Sequence, residues 1–213
     1  MRLLIALIAR DVRLSWGNGA ALPIGFFLLV AALFPFGVGP DGPMLMRTGG
    51  GMIWVAALLA SLLPVDRLVA PDVDSGVLDQ LSVRGAAEET VALAKLIAHW
   101  ISFGPPLLLA AVPAALLLRL EGDTLLQIEF GLLLGTPGLA ALGVLVASIT
   151  AGLRRSGALA GALLLPLAIP LIIFGAGSLR GNGDGLWLLA ATSLFLVAIT
   201  PLAAGAAIRA GRG

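Results

Sequence analysis

A chain of 213 residues with 59% hydrophobic and 12% charged residues is not composed like a soluble domain, where about half the residues are apolar and about a quarter charged. The absence of cysteine excludes disulfides, iron–sulfur clusters, zinc–thiolate sites and thiol catalysis, and a net charge of +1 offers no footprint for nucleic acid. The apolar residues fall in runs of roughly twenty, the length a helix needs to cross about 30 Å of hydrocarbon, and they do not alternate as barrel strands do, so the fold class is all-α and polytopic.

Residues 2–18 predict an amphipathic helix. Arg2, Arg10 and Arg13 fall within a sector of roughly 80°, and Leu4, Ile8, Val12 and Trp16 share the opposite side. Such a helix lies in the membrane interface, which makes Arg2, Arg10, Arg13 and Trp16 its interface residues, the arginines toward anionic headgroups. Asp11 falls on the apolar side, where nothing accounts for it short of a basic partner elsewhere in the chain. A cleavable signal peptide is the competing reading. It is set aside because Arg10, Asp11 and Arg13 interrupt the segment before a long enough apolar region develops.

Six spans follow. The first covers residues 20–38, with Pro23 in its first turn and Pro35 expected to kink or stop it near its end. The second covers 49–64 and is short, so it either tilts little or begins earlier than these bounds. The third covers 96–118 and contains Pro105, Pro106 and Pro113, which predict a bent or split helix. The fourth covers 125–153 and carries GTPG at Gly135–Gly138; a tight turn at Arg154–Arg155 leads to the fifth, 156–179, with Pro166 and Pro170. The loop RGNGDG at residues 180–185 is a turn by composition, and the sixth span covers 186–208.

Between the second and third spans, residues 66–95 hold six acidic and three basic residues. Val73, Val77, Leu78 and Leu81 recur at helical spacing, Pro71 suits a helix start and Gly85 a helix end, so one short amphipathic helix is expected here on the water side of the membrane. The bland alternative is a solvated loop with no partner. Six spans put both termini on one side. With that side cytoplasmic, ten of the thirteen Lys and Arg residues fall inside and only Arg47, Arg119 and Arg180 outside, which places the 66–95 loop in the cytoplasm. Trp16 and Trp100 then fall near the inner interface and Trp187 near the outer one, as an aromatic belt requires.

The segment Gly76-Val77-Leu78-Asp79-Gln80-Leu81 resembles the G-x-L-[ED]-Q-L segment of ABC-type export permeases, in which an interfacial helix precedes six spans and the loop after the second span docks on a cytoplasmic ATPase. Within that class the chain is similar to the haem exporter protein B (CcmB) family. The likeness is carried by LFPFGVGP (33–40), MIWVAALLASLL (52–63), LAKLIAHW (93–100), LLLGTPGLAALG (132–143), LPLAIPLIIF (165–174) and TPLAAGAAIRA (200–210); the short RGNGDG loop is a departure from it. The resemblance implies a single permease domain over residues 1–213 in a bacterial inner membrane, non-catalytic, with both termini cytoplasmic and residues 76–81 as the ATPase-coupling element. It also implies the partners: an ATPase that binds ATP, a second copy of the chain, a haem-handling membrane subunit and a periplasmic haem chaperone. Haem is then the cargo, and ATP hydrolysis supports release of the haem-loaded chaperone during cytochrome c biogenesis. The alternatives are an ABC export permease for another cargo, or a membrane channel or scaffold without an ATPase.

His99 is the one side chain besides methionine with haem-ligand chemistry. A lone histidine near a span end is expected to hydrogen-bond to a neighbouring helix or headgroup; a haem or partner contact by His99 and Trp100 is the sharper alternative. Met44, Met46 and Met52 cluster near the outer face, where packing outweighs soft-ligand chemistry. Gly131-xxx-Gly135 and Gly157-xxx-Gly161 permit close helix contact. Apart from Glu129, no ionisable residue falls deep in a span, which argues against a proton-coupled pump and against an intramembrane enzyme.

Overall fold

The computed structural model describes residues 1–17, 19, 21–39, 41–151, 153, 156–180 and 184–211, with the backbone alone at 156–158 and 180. The described residues form nine α-helices and no strand: α1 (Arg2–Gly17), α2 (Ala21–Val38), α3 (Gly42–Leu62), α4 (Ala70–Asp74), α5 (Val77–Val83), α6 (Glu88–Leu117), α7 (Gly122–Thr150), α8 (Ser156–Gly177) and α9 (Asp184–Ala210). Six of them, α2, α3, α6, α7, α8 and α9, are long and apolar enough to cross a membrane, as the sequence predicts. The shortest, α2 with 18 residues, reaches about 27 Å at about 1.5 Å per residue. The turn at Arg154–Arg155, the centre of the RGNGDG loop and Arg212 lie outside the described residues.

One span settles an open alternative and the next departs from expectation. The second span takes the earlier start of its two alternatives: α3 begins at Gly42, with Pro43 in its first turn, where proline's missing N–H leaves no intrahelical bond unmade. The third span is not split. α6 runs unbroken for 30 residues through Pro105, Pro106 and Pro113. Transmembrane helices tolerate proline because neighbouring helices and local adjustment re-satisfy the freed backbone groups.

α7 is the central helix and packs against α9, α6, α8 and α3. Many of its inward positions are small, among them Gly131, Gly135, Gly138, Ala140, Ala141 and Ala147. Lipid tails are as apolar as leucine, so helices in a bilayer associate through close packing rather than through the hydrophobic effect. The Gly131–Gly135 pair does this by receiving a ring. Trp54 of α3 is 1% exposed, and a Cβ added at Gly135 would lie 2.6 Å from its indole edge; at Gly131 the distance would be 3.1 Å. Gly175 of α8 closes the same slot from the other side. At Gly161 an added Cβ would meet nothing within 4 Å, so that glycine does no such work inside the chain. The outward faces of α2, α8 and α9 keep Leu29, Leu33, Ile169, Ile173, Phe195 and Leu202 exposed, as lipid-facing helices do.

The even number of crossings brings α1, the connection between α3 and α6, the start of α6 and the end of α9 to one end of the bundle. Arg209 in the last turn of α9 pairs with Glu88 and Glu89 in the first turn of α6, so each charge also sits at the favourable pole of its own helix. Gly205 allows this approach: a Cβ there would lie 2.9 Å from the Glu89 backbone nitrogen. At the opposite end α6 closes with Arg119 at φ 56°, where the Leu120 N–H reaches Ala115 O at 3.0 Å and the Arg119 N–H reaches Leu116 O at 3.2 Å, the bond pair of a Schellman stop.

The Trp54 slot makes a graded prediction. Gly135→Ala lowers the unfolding free energy by about 1–3 kcal/mol through overpacking, while Gly161→Ala changes it by less than about 0.5 kcal/mol. Thermal unfolding of the purified protein in detergent checks this; equal effects at the two sites would refute the slot.

Candidate functional site

The connection after α3 opens with a 3-10 turn at Val65–Arg67 and continues through α4 and α5. The single amphipathic helix expected here is two helices. The break is at Gly76, whose φ of +69° lies in the left-handed region that residues with a Cβ rarely adopt. Ser75 Oγ folds back onto Pro71 O at 2.6 Å and the Gly76 N–H closes on Val73 O at 3.0 Å, ending α4. α5 starts afresh when the Gln80 N–H reaches Gly76 O at 3.1 Å. It ends where the sequence predicts: Gly85 has φ +77°, its N–H reaches Ser82 O at 2.8 Å, and the Ala86 N–H reaches Leu81 O at 3.0 Å.

This break sorts the residues of the 76–81 segment. Leu78 is 3% exposed and belongs to the chain's own core, with Leu81 half-buried beside it. Leu78 is therefore not a surface residue, and the apolar side of α5 is spent on this chain's own packing. The outward side presents Asp79, Gln80, Val83 and Arg84, with Gly76 and Val77 at its start. Val83 is 90% exposed, an apolar side chain standing clear of the protein at the end of α5. Sequence reasoning passed over it because it falls outside the quoted motif.

Behind α4 lies a ring of charges. Asp72 of α4 and Lys95 of α6 are buried and form an ion pair, and the Arg10 guanidinium of α1 donates to the other Asp72 oxygen. Asp11 closes the ring, with its carboxylate oxygens 3.5 Å from Lys95 Nζ and 3.4 Å from the Arg10 guanidinium. Two cations and two carboxylates thus alternate, and each carboxylate bridges both cations. Asp72 and Lys95 leave water here only because each is met twice by the opposite sign. Burial pushes the Asp11 carboxyl above its ordinary value, against the opposing pull of Lys95 and then Arg10.

The ring explains Asp11, whose basic partners are Lys95, far along the chain, and its neighbour Arg10. It also corrects the reading of Arg10 as a headgroup-facing residue: its guanidinium turns inward to Asp72. Arg2, Arg13 and Trp16 remain exposed on α1, while Leu4, Leu7 and Ile8 pack onto the core. Asp72 and Lys95 were not singled out as site residues, since no spacing rule joins positions 10, 11, 72 and 95. The misplaced Asp11 was the only sign of them.

A cavity of about 500 Å³ opens beside the ring, lined by Asp11, Asp72, Lys95, Arg67 and His99 together with apolar residues of α1 and of the start of α2. His99 is 3% exposed and stacks on Phe103 with centroids 5.7 Å apart. Its Nε2 has no hydrogen-bond partner and faces Gly143, where an added Cβ would lie 3.3 Å away. The expected bond to a neighbouring helix is therefore not made through that nitrogen. Trp100 does not use its indole N–H at a headgroup; it donates to Thr136 Oγ1 of α7 at 3.1 Å. Trp187 is 79% exposed at the start of α9. Met44 and Met46 are exposed and Met52 half-buried.

Six apolar spans, an amphipathic helix ahead of them and a two-part helical connection after the second span define a multi-pass α-helical membrane protein. The chain belongs to the CcmB protein family, whose family model matches residues 2–211. It is 45% identical over 212 residues to heme exporter protein B of Rhodobacter capsulatus, covering 96% of this chain and 97% of that protein. Heme exporter protein B of Paracoccus denitrificans is 44% identical over the same share of both chains, and that of Escherichia coli strain K12 is 40% identical over 207 residues, 93% of this chain and 94% of the relative.

Two predictions separate the members of the ring. Removing one partner of a buried ion pair strands the other, so Asp72→Asn lowers the unfolding free energy by about 3 kcal/mol or more; thermal unfolding in detergent measures it, and a neutral effect would contradict the burial. Asp11 acts in the opposite sense. Its folded pKa lies above the unfolded 3.8, so the folded state holds the proton more tightly and ionisation lowers stability as pH rises through that window. Asp11→Asn removes this dependence. The variant's stability relative to wild type improves from about pH 3.5 upward, and a difference that moves the other way in a pH series of melting curves would refute it.

Proposed function

We propose that this chain is the non-catalytic permease subunit of an ABC-type complex for haem handling in cytochrome c biogenesis, with ATP hydrolysed on a separate cytoplasmic subunit. The observation that carries the proposal is the match over residues 2–211 to a family whose curated relatives are named heme exporter protein B. The outward face of α5 supports the rest of the reading. Asp79, Gln80, Val83 and Arg84 stand together at the end of the bundle that holds α1 and the end of α9, and the Lys and Arg distribution favours the cytoplasm for that end. A short helix with an exposed apolar residue amid polar ones suits a groove on a soluble partner.

In this reading the membrane is the bacterial inner membrane, both termini are cytoplasmic, and two copies of the chain work with two copies of the ATPase and a haem-handling membrane subunit. Hydrolysis drives release of the haem-loaded periplasmic chaperone. This chain converts ATPase closure into a rearrangement felt by its neighbours. The motive is the contrast between the exposed outward side of α5 and a single buried histidine as the chain's only haem-ligand side chain besides methionine.

The test is co-purification of the tagged chain with its cognate ATPase, comparing wild type with Asp79→Lys and Val83→Asp. Both variants alter exposed positions, unlike a change at buried Leu78. Wild type is expected to retain the ATPase, and each variant to retain about tenfold less or worse while inserting normally. A wild-type chain that holds no ATPase under conditions preserving the complex would remove the permease assignment.

A further inference from the structure

The reading above says where a partner's movement enters this chain but not how it reaches the spans. α5 is joined to α4 through Gly76, a left-handed residue around which an added Cβ would meet nothing within 4 Å. Such a joint is sterically open. A push on α5 that met only this joint would be taken up as rotation about Gly76 and would not reach α3.

Asp72 lies four residues before that joint, on the α4 side. Lys95 of α6 grips one of its oxygens and Arg10 of α1 the other. Lys95 is seven residues into α6, about 10 Å along the axis, at a depth where its side chain is 5% exposed. On the far side of α5, the Gly85–Ala86 stop runs directly into the first turn of α6, and Ser82 Oγ reaches Glu88 there at 3.4 Å. The two-helix connection is therefore fastened to α6 at both ends, once by the chain and once by the charge ring. With both ends held, Gly76 no longer absorbs the motion.

Stability alone does not account for the ring. A buried ion pair rarely surpasses a well-packed apolar pair of the same volume, because the desolvation of two charges offsets their attraction. What the ring supplies is position: its strength depends on geometry, and it engages three elements that no covalent neighbour relation joins.

We propose that Asp72 and Lys95 are positioning residues that lock α4 to α6 and, through Arg10 and Asp11, to α1, so that movement imposed at α5 enters the third span and the N-terminal helix as one displacement. This rests on the ATP-coupled permease reading and assigns its transmission element.

The test uses the intact complex of this chain with its ATPase and the double variant Asp72→Asn with Lys95→Met. That variant removes one charge of each sign and leaves Arg10 paired with Asp11. The expected result is that the variant accumulates in membranes and co-purifies with the ATPase, while holo-cytochrome c formed in cells per ATP hydrolysed by the complex falls by about tenfold or more. Wild-type cytochrome c formation in the double variant would overturn the proposal and leave the ring a purely structural feature. A second measurement does not depend on any variant folding. Hydrogen exchange of the wild-type complex, with and without a non-hydrolysable ATP analogue, is expected to change together in α4, in the first turns of α6 and in α1. A change confined to α5 would equally overturn the proposal. A wild-type chain that never holds the ATPase fails the permease reading itself, whereas an ATPase-bearing complex with either overturning result fails only the lock.

Discussion

Burying Asp72 and Lys95 at the end of an apolar bundle, with Arg10 and Asp11 half-buried around them, is the constraint on which the geometry of this protein turns. Asp72 and Lys95 are nearly without solvent, and a charge at that depth is costly unless it is paired. Each needs the other, and each needs a second partner, so α1, α4 and α6 must meet at one point. Packing would allow α1 to slide along α6 by a turn with modest loss. The ring does not, because a slide by one turn would break both contacts that cross from α1, Arg10 to Asp72 and Asp11 to Lys95, and leave each ion with one partner in place of two.

Around that point the rest of the bundle follows the rules of a medium that offers no hydrophobic drive between helices. α7 is lined with glycine and alanine so that its neighbours approach closely, and Trp54 fills the slot that Gly131, Gly135 and Gly175 leave. Arg209 against Glu88 and Glu89 holds the end of α9 to the start of α6 at the end that carries the ring. That end is fastened electrostatically while the middle is fastened by shape. The difference matters for function, because ionic fastenings with discrete geometry can hold or release as units, whereas the close-packed middle resists gradual deformation.

The connection after the second span shows how one residue type divides roles. Gly76 ends α4 and frees α5 to turn. Leu78 then anchors α5 to the core, and Asp79, Gln80, Val83 and Arg84 face outward. Of the two leucines in the recognisable motif, Leu78 is therefore structural and Leu81 half-buried beside it, and the exposed apolar side chain is Val83, two residues beyond the motif.

Six spans, their order, the amphipathic first helix and the stop at Gly85 were legible in the sequence, since each depends on local composition: run length against bilayer thickness, the helical period, and glycine where a positive φ is needed. Asp11 was legible as an anomaly but not as a partner. The inward turn of Arg10, the pairing of Asp72 with Lys95, the burial of Leu78 and the slot for Trp54 came from tertiary structure alone. Those features join residues more than twenty, and often more than sixty, positions apart along the chain, and periodicity reports which side of a helix is apolar without saying which other helix covers it. The unbroken course of α6 through three prolines was settled in the same way, because whether a proline breaks a helix depends on the neighbours that take up the freed carbonyls.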